Sequence, residues 1–319
     1  MSGPLLLVII AGPTATGKTE AGIDVALACG GEIVSADSMM VYRGMDIGTA
    51  KPSASERRGV PHHLIDVADP DEEFNVVRYQ QLAGERIADI LGRNRVPLLV
   101  GGTGFYIRSV VEDYRFGVQA DRGLRNRLQE TAELYGTVRL HRHLAVVDPV
   151  TARRLHPNDQ RRIVRALEVY YQSGIPFSRH PGRRGGAPKY LPVMFGLNMD
   201  RARLYRRIEA RVDAMVQAGL VREVEALLAK GYGPELTAMK GLGYKEIAAH
   251  LRGELTLEEA IRILKRNTRR FAKRQLTWFR RDERIRWLDV EECGGPAGAA
   301  REIVASIEQE YSRFRRTIN

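Results

Sequence analysis

The chain has 319 residues, 44% of them hydrophobic, with a formal net charge of +11. That length gives one large domain or two smaller ones with ample core, and no stretch reaches the roughly 20 apolar residues of a helical membrane span, so none is expected. The charge is uneven: residues 1–110 carry 10 Lys/Arg against 13 Asp/Glu, whereas the remainder nets +14 and suits a polyanionic partner. Two cysteines, Cys29 and Cys293, stand in no metal-ligand spacing and fit a reducing, cytoplasmic setting.

The first element is the apolar run Leu5–Ala11, with no basic residue ahead of it, which reads as a core strand rather than a secretory signal. It leads straight into Gly12-Pro13-Thr14-Ala15-Thr16-Gly17-Lys18-Thr19, which fits G-x-x-x-x-G-K-[ST]. In that pattern backbone N–H groups wrap phosphate oxygens, Lys18 adds a point charge, and the Thr19 hydroxyl can ligate Mg²⁺. From Thr19 a helical pattern through Ala21, Val25 and Ala28 runs to Gly30-Gly31. Strand, glycine loop and helix together favour a phosphate-binding loop over an ordinary Gly-rich turn.

Further strands are expected at residues 32–36, 96–100 and 193–197. Strands alternating with helices argue an α/β fold: a phosphate-loop NTPase-like parallel sheet with its ligand at the strand carboxyl ends. Between 113 and 196 the pattern is helical, so a helical insertion at 113–196 is expected within a core of residues 1–112 and 197–319. Asp121 caps one insertion helix, with the stripe Leu124, Leu128, Thr131 and Tyr135. Asn158-Asp159 caps another, carrying Ile163, Ala166, Leu167 and Tyr170 and stopped by Gly174. The Pro/Gly/Arg-rich residues 179–186 read as a mobile loop. Beyond Asp200 the chain reads as helical, with faces at Leu204, Ile208, Val212 and Met215, and at Ile261, Leu264, Thr268, Phe271 and either Gln275 or Leu276.

Phosphate-loop NTPases usually end an apolar strand in a Walker-B aspartate. Here residues 96–100 run into Gly101-Gly102-Thr103-Gly104, and the available acid is Asp37, after the second strand. A carboxylate there can bind Mg²⁺ or take a proton from a nucleophile above the phosphates. The plainer reading of Asp37 is a helix cap. RNA binding has its own signal: residues 262–286 hold eleven Lys/Arg, among them Lys273 and Arg274, interleaved with Phe271, Trp278 and Phe279. These aromatics read as core anchors rather than stacking platforms. Gln160, Arg161 and Arg165 form a second polar face opposite Ile163 and Leu167. Phosphate loop and basic helix leave open a small-molecule kinase and an RNA-binding protein that uses nucleotide as a switch.

The run Ser35-Ala36-Asp37-Ser38-Met39-Met40-Val41-Tyr42-Arg43-Gly44 resembles a signature of the tRNA dimethylallyltransferases, or tRNA isopentenyltransferases. Similar matches are Val60-Pro61-His62-His63, Gly101-Gly102-Thr103-Gly104-Phe105-Tyr106, His156-Pro157-Asn158-Asp159-Gln160-Arg161-Arg162, Gly243-Tyr244-Lys245-Glu246 and Lys273-Arg274-Gln275. They follow family order over nearly the whole chain, and the lack of a Cys-rich zinc finger points to the bacterial form. At position 40 the family commonly has Gln where this chain has Met40, so hydrogen bonding from that position is in question.

The resemblance implies transfer of a dimethylallyl group from dimethylallyl diphosphate to N6 of the adenosine immediately 3′ of the anticodon, by a cytoplasmic, monomeric enzyme. It implies Asp37 as general base, Thr103 near the target adenosine, Arg207 or Arg211 assisting the diphosphate, and Mg²⁺ on Thr19. It places the tRNA anticodon stem-loop against Asp37, Ser38, Met39, Met40 and Thr103, against Arg125, Gln160, Arg161, Arg162 and Arg165 of the insertion, and against Lys273 and Arg274. An isopentenyltransferase acting on free adenine nucleotides stays open beside it.

Overall fold

The computed structural model describes residues 5–114, 116–117, 121–180 and 189–318, with side chains as far as residue 310. In chain order the elements are β1 (Leu5–Ala11), α1 (Lys18–Cys29), β2 (Gly31–Ser35), β3 (His62–His63), α2 (Val76–Gly92), β4 (Val96–Gly101) and α3 (Gly104–Val111). Four helices follow: α4 (Arg122–Tyr135), α5 (Thr137–Val147), α6 (Pro149–Arg154) and α7 (Gln160–Ser173). The chain then forms β5 (Tyr190–Asn198), α8 (Arg201–Gln217), α9 (Leu220–Ala229), α10 (Tyr244–Leu251), α11 (Leu257–Phe279), β6 (Ile285–Asp289) and α12 (Pro296–Ile318).

The six strands make one parallel sheet in the order β3-β2-β4-β1-β5-β6. Continuous apolar strands suit a sheet covered on both faces. In β1, Leu7, Ile9 and Ala11 join the core under α2, α3, α9, α10 and α11, while Val8 and Ile10 pack with α1 and α12. Two of the strands were not legible as strands: β3, two residues long, and β6, where Arg286 interrupts the apolar run. The edge pair β2–β3 is held by Glu32, which is almost fully buried. It accepts from Arg93 and lies 2.7 Å from His63 Nε2; the Arg93 hydrogen bond outweighs burial and holds the carboxyl down to about 2.

The chain divides into two compact units, residues 1–111 with 188–319, and residues 112–187. The expected insertion boundary at 196 is therefore corrected: residues 190–198 form β5, which pairs with β1 from Leu5↔Tyr190 to Ala11↔Gly196 and belongs to the core. The second unit packs α4–α7 around Leu128, Leu140, Leu144, Ile163 and Leu167. Asp121, Asp148 and Asp159 cap α4, α6 and α7. The α4 stripe turns through Ala132 rather than Tyr135, which is 60% exposed. Of the loop expected at 179–186, residues 181–186 lie outside the described residues. His141 Nε2 lies 3.0 Å from the Ala152 carbonyl, and Tyr171 Oη 2.7 Å from His143 Nε2.

Candidate active site

Sheet order decides which loops meet. β4 lies between β1 and β2, so Thr103, just past β4, stands between the phosphate loop after β1 and the Asp37 turn after β2. The site is thus built at the carboxyl ends of three adjacent strands, where α/β sheets bind ligands.

The phosphate loop begins at Gly12, with φ of +140°, where a Cβ would lie 2.4 Å from the Leu197 carbonyl oxygen; only glycine fits. Thr16 Oγ1 donates to the Pro13 carbonyl at 2.9 Å, and the Lys18 ammonium donates to the same oxygen. Ala15 adopts a left-handed backbone, φ 66°, which costs an L-residue about 1 kcal/mol. Gly17, also left-handed, caps α1, so Lys18 and Thr19 open the helix and their N–H groups have no intrahelical partner.

Burial, and after it the positive charge of Arg211, lowers the Lys18 ammonium to about 7, while Asp37 opposes them. Arg211 is itself lowered by burial, with Asp37 raising it and Arg207 lowering it. Lys18 and Arg211 are thus two cations within electrostatic reach of each other and of the Asp37 carboxylate, an arrangement suited to a phosphate anion. Arg207, one turn earlier on α8, is exposed and acts on Arg211. The sign of the pH effect follows. A phosphate anion bound beside Lys18 would raise it above its free value, so such binding near pH 8 is expected to take up a proton, with uptake shrinking toward zero by about pH 6. Affinity for pyrophosphate accordingly falls as pH rises above about 7 through this group. Titration calorimetry in buffers of different ionisation enthalpy measures the uptake directly.

Across β4, Asp37 Oδ1 accepts from the N–H groups of Met39 at 2.8 Å and Met40 at 3.4 Å. No helix follows, so Asp37 caps a turn rather than the helix the plainer reading expected, and this occupies one carboxylate oxygen. Thr103 pins this turn: its N–H donates to the Ala36 carbonyl at 3.0 Å, and its Oγ1 accepts the Ser38 N–H at 3.0 Å. A Cβ on Gly101 would lie 2.3 Å from the Ala36 carbonyl oxygen, so the close approach of β4 to β2 requires glycine here. Behind the turn Tyr79 and Tyr106 stack with centroids 3.9 Å apart, and Tyr79 Oη donates to the Ser35 carbonyl. Burial first, then neighbouring groups including Asp37, push both phenols upward, so they stay neutral walls. Met40 Sδ sits 3.8 Å from the Ser35 hydroxyl as a weak acceptor.

Two residues with no role expected from the sequence organise the site. Gln275 of α11 is buried; its Oε1 accepts the Thr14 N–H and its Nε2 donates to the Gly102 carbonyl, both at 2.9 Å. Its signal was a polar side chain on the apolar face of a helix. Glu223 of α9 accepts from the N–H groups of Asp46, Ile47 and Gly48 and from Tyr244 Oη. No local signal marked it. Beside the phosphate loop a cleft of about 1250 Å³ is lined by Thr19, Asp24, Asp46, Lys51 and Arg211. Lys51, 4% exposed, is held there by Asp46, Asp66 and the Tyr42 carbonyl.

The residues expected to meet RNA fall into two kinds. Arg125 and Arg165 both pair at 2.9 Å with Glu168, which is fully buried, so they share one carboxylate and the cluster keeps a single net positive charge. Arg161 and Arg162 project from the first turn of α7 and are exposed, Arg162 with Asp159 at 3.5 Å, and Gln160 is half-buried. On α11, Lys273 and Arg274 are exposed on the side away from Ala272 and Gln275. Phe279 is core, as expected, but Trp278 is 39% exposed, lying over Gly104 and edge-on to Phe105.

A family model described as IPP transferase matches residues 40–282, and one described as isopentenyl transferase matches residues 5–68. The chain belongs to the tRNA dimethylallyltransferase family. It is 87% identical to a tRNA dimethylallyltransferase of Desulforudis audaxviator over 97% of this chain and 100% of that protein. It is 52% identical to one from Pelotomaculum thermopropionicum, over 95% and 96%. Among solved structures, the full-length tRNA isopentenylpyrophosphate transferase of Bacillus halodurans matches with TM-score 0.71 and 43% identity over 98% of this chain and 99% of that one. A eukaryotic dimethylallyltransferase solved acting on tRNA matches with TM-score 0.75 and 29% identity over 89% of this chain and 74% of that one. These dimethylallyltransferase relatives share the phosphate-loop α/β core found here. Among the described residues, no helix is long and apolar enough to cross a membrane.

Proposed function

We propose that this prenyltransferase moves a dimethylallyl group from dimethylallyl diphosphate to N6 of the adenosine immediately 3′ of the tRNA anticodon, as a cytoplasmic monomer. The observation that carries the reading is the meeting of Lys18, Thr103 and the pinned Asp37 turn at three adjacent strand ends, with Arg211 of α8 within electrostatic reach of Lys18 and Asp37.

An adenine amine is a poor nucleophile because its lone pair is delocalised into the ring. As N6 bonds to the allylic carbon, the carbon–oxygen bond to the diphosphate breaks and its electron pair leaves with the diphosphate. Asp37 takes the N6 proton through the carboxylate oxygen that the turn does not use. Lys18, the first amides of α1 and Arg211 face the charge that grows on the departing oxygen. Of the two arginines, the electrostatic coupling of Arg211 to Lys18 favours Arg211 for this role over the exposed Arg207.

The residues fit Mg²⁺ as well. Among the described residues no cluster of three His, Cys, Asp or Glu forms a protein cage for a metal. Mg²⁺ usually binds through a few protein groups plus substrate phosphates, which suits the Thr19 hydroxyl on the cleft wall. When bound, the ion neutralises diphosphate charge.

An anticodon-loop base can be splayed out and read, and Ser38, Met39, Met40 and Thr103 border the place where it would enter. Lys273, Arg274, Gln160, Arg161 and Arg162 supply exposed groups for the phosphate backbone, and Arg125 and Arg165 reach it only from their Glu168 pairing. Taking one cation away from the RNA phosphates flattens the log–log salt dependence of tRNA binding by roughly 0.7 to 0.9 of a unit. Lys273→Ala with Arg274→Ala will therefore reduce the slope by one to two such steps and leave pyrophosphate binding intact. Binding titrations across a salt series measure both.

Incubation with labelled dimethylallyl diphosphate and either tRNA or AMP tests the function. Label on tRNA alone supports it, label on AMP assigns the enzyme to free nucleotides, and ATP turnover without prenyl transfer assigns a kinase or nucleotide switch.

A further inference from the structure

We propose that Gln275 limits the phosphate cradle to two phosphates and so makes the site select a diphosphate over a triphosphate. The inference rests on the reading that residues 12–19 hold a diphosphate. In such a loop the backbone N–H groups cradle the phosphates and the Lys reaches the outer ones, so an N–H withdrawn from the strand-side half shrinks the cradle. Thr14 lies on that strand-side half, and its N–H is already taken by Gln275 Oε1 at 2.9 Å. The amide cannot swing aside at little cost, because its other end donates to the Gly102 carbonyl at 2.9 Å and the side chain is only 7% exposed. It also packs tightly: a Cβ on Gly102 would lie 2.2 Å from its Nε2. One neutral side chain therefore removes a donor from the outer end of the cradle and occupies part of its space. The helix end keeps Lys18 and the first amides of α1, and Arg211 acts on Lys18 from α8.

The test is calorimetric binding of inorganic pyrophosphate and inorganic tripolyphosphate to the full chain in Mg²⁺ buffer. One amide hydrogen bond to a charged oxygen corresponds to about tenfold in affinity, so the wild type should prefer pyrophosphate by about that factor. Gln275→Ala frees the Thr14 N–H and should shrink the preference roughly fivefold or more. Gln275→Glu retains an acceptor for Thr14 and adds negative charge at the outer end, so it should widen the preference. A structural role alone would weaken both ligands in step, and an unchanged ratio in Gln275→Ala overturns the proposal. So does a wild type that binds the two equally. If Gln275→Ala does not fold, the Gln275→Glu ratio decides: widened supports selection, unchanged or narrowed refutes it. Failure of the wild type to bind pyrophosphate at all would remove the diphosphate reading as well as this one.

Discussion

Replacing Asp37 with Asn will lower prenyl transfer to tRNA at least a hundredfold, within the roughly 10²–10⁴ range of a general base. The geometry makes this substitution informative. Asp37 Oδ1 accepts from Met39 and Met40, and an Asn carbonyl oxygen can accept the same two N–H groups, so the turn survives. Thr103 holds the turn from the other side through Ser38 and Ala36. What Asn cannot do is take up the N6 proton. The measurement is single-turnover transfer alongside tRNA affinity, with the affinity expected to stay within about twofold because the turn's backbone is unchanged. A variant that kept most of its turnover would leave Asp37 with the capping role alone.

Lys18→Ala will be almost as damaging, for a different reason. It removes the charge that meets the leaving diphosphate, and loss of one such preorganised donor costs about 10²–10³ in turnover. The Arg211 guanidinium remains, but without the second cation within its electrostatic reach. Thr16 still holds the Pro13 carbonyl, so the loop keeps part of its shape. Turnover should therefore fall far more than tRNA affinity, and pyrophosphate binding should lose its proton uptake near pH 8 along with much of its strength. Proton uptake that persisted in Lys18→Ala would assign the titration to another group.

The parts of the site that depend on neighbouring residues were legible in the sequence, since strand, glycine loop, capping residue and helix follow one another from Leu5 to Cys29. Buried parallel strands announce themselves as apolar runs, and β1, β2 and β4 fell within a residue or so of expectation. The start of β5 did not. Pro192 stands inside it, tolerated because β6 joins β5 only from Met194 and leaves that stretch with one neighbour. β6 was masked by its setting: Ile285-Arg286-Trp287-Leu288-Asp289 follows a basic helix and lies at a sheet edge, where a charged side chain can face water.

Contacts made through the third dimension left the least trace. Gln275 reaches Thr14 across 261 positions and Glu223 reaches Asp46 across 177, and neither spacing has a local period to betray it. Arg125 likewise reaches the buried Glu168 across 43 positions, whereas Arg165 meets the same carboxylate three residues along α7.

Glu223 carries one more consequence. Three successive amides aimed at one point form a receptor for any small anion, and in this protein the receptor is plugged by a carboxylate from its own α9. Asp46 and Ile47, two of its three donors, also line the cleft beside the phosphate loop. The internal plug therefore withholds one anion receptor, at the mouth of the cleft, from any small phosphate that enters it.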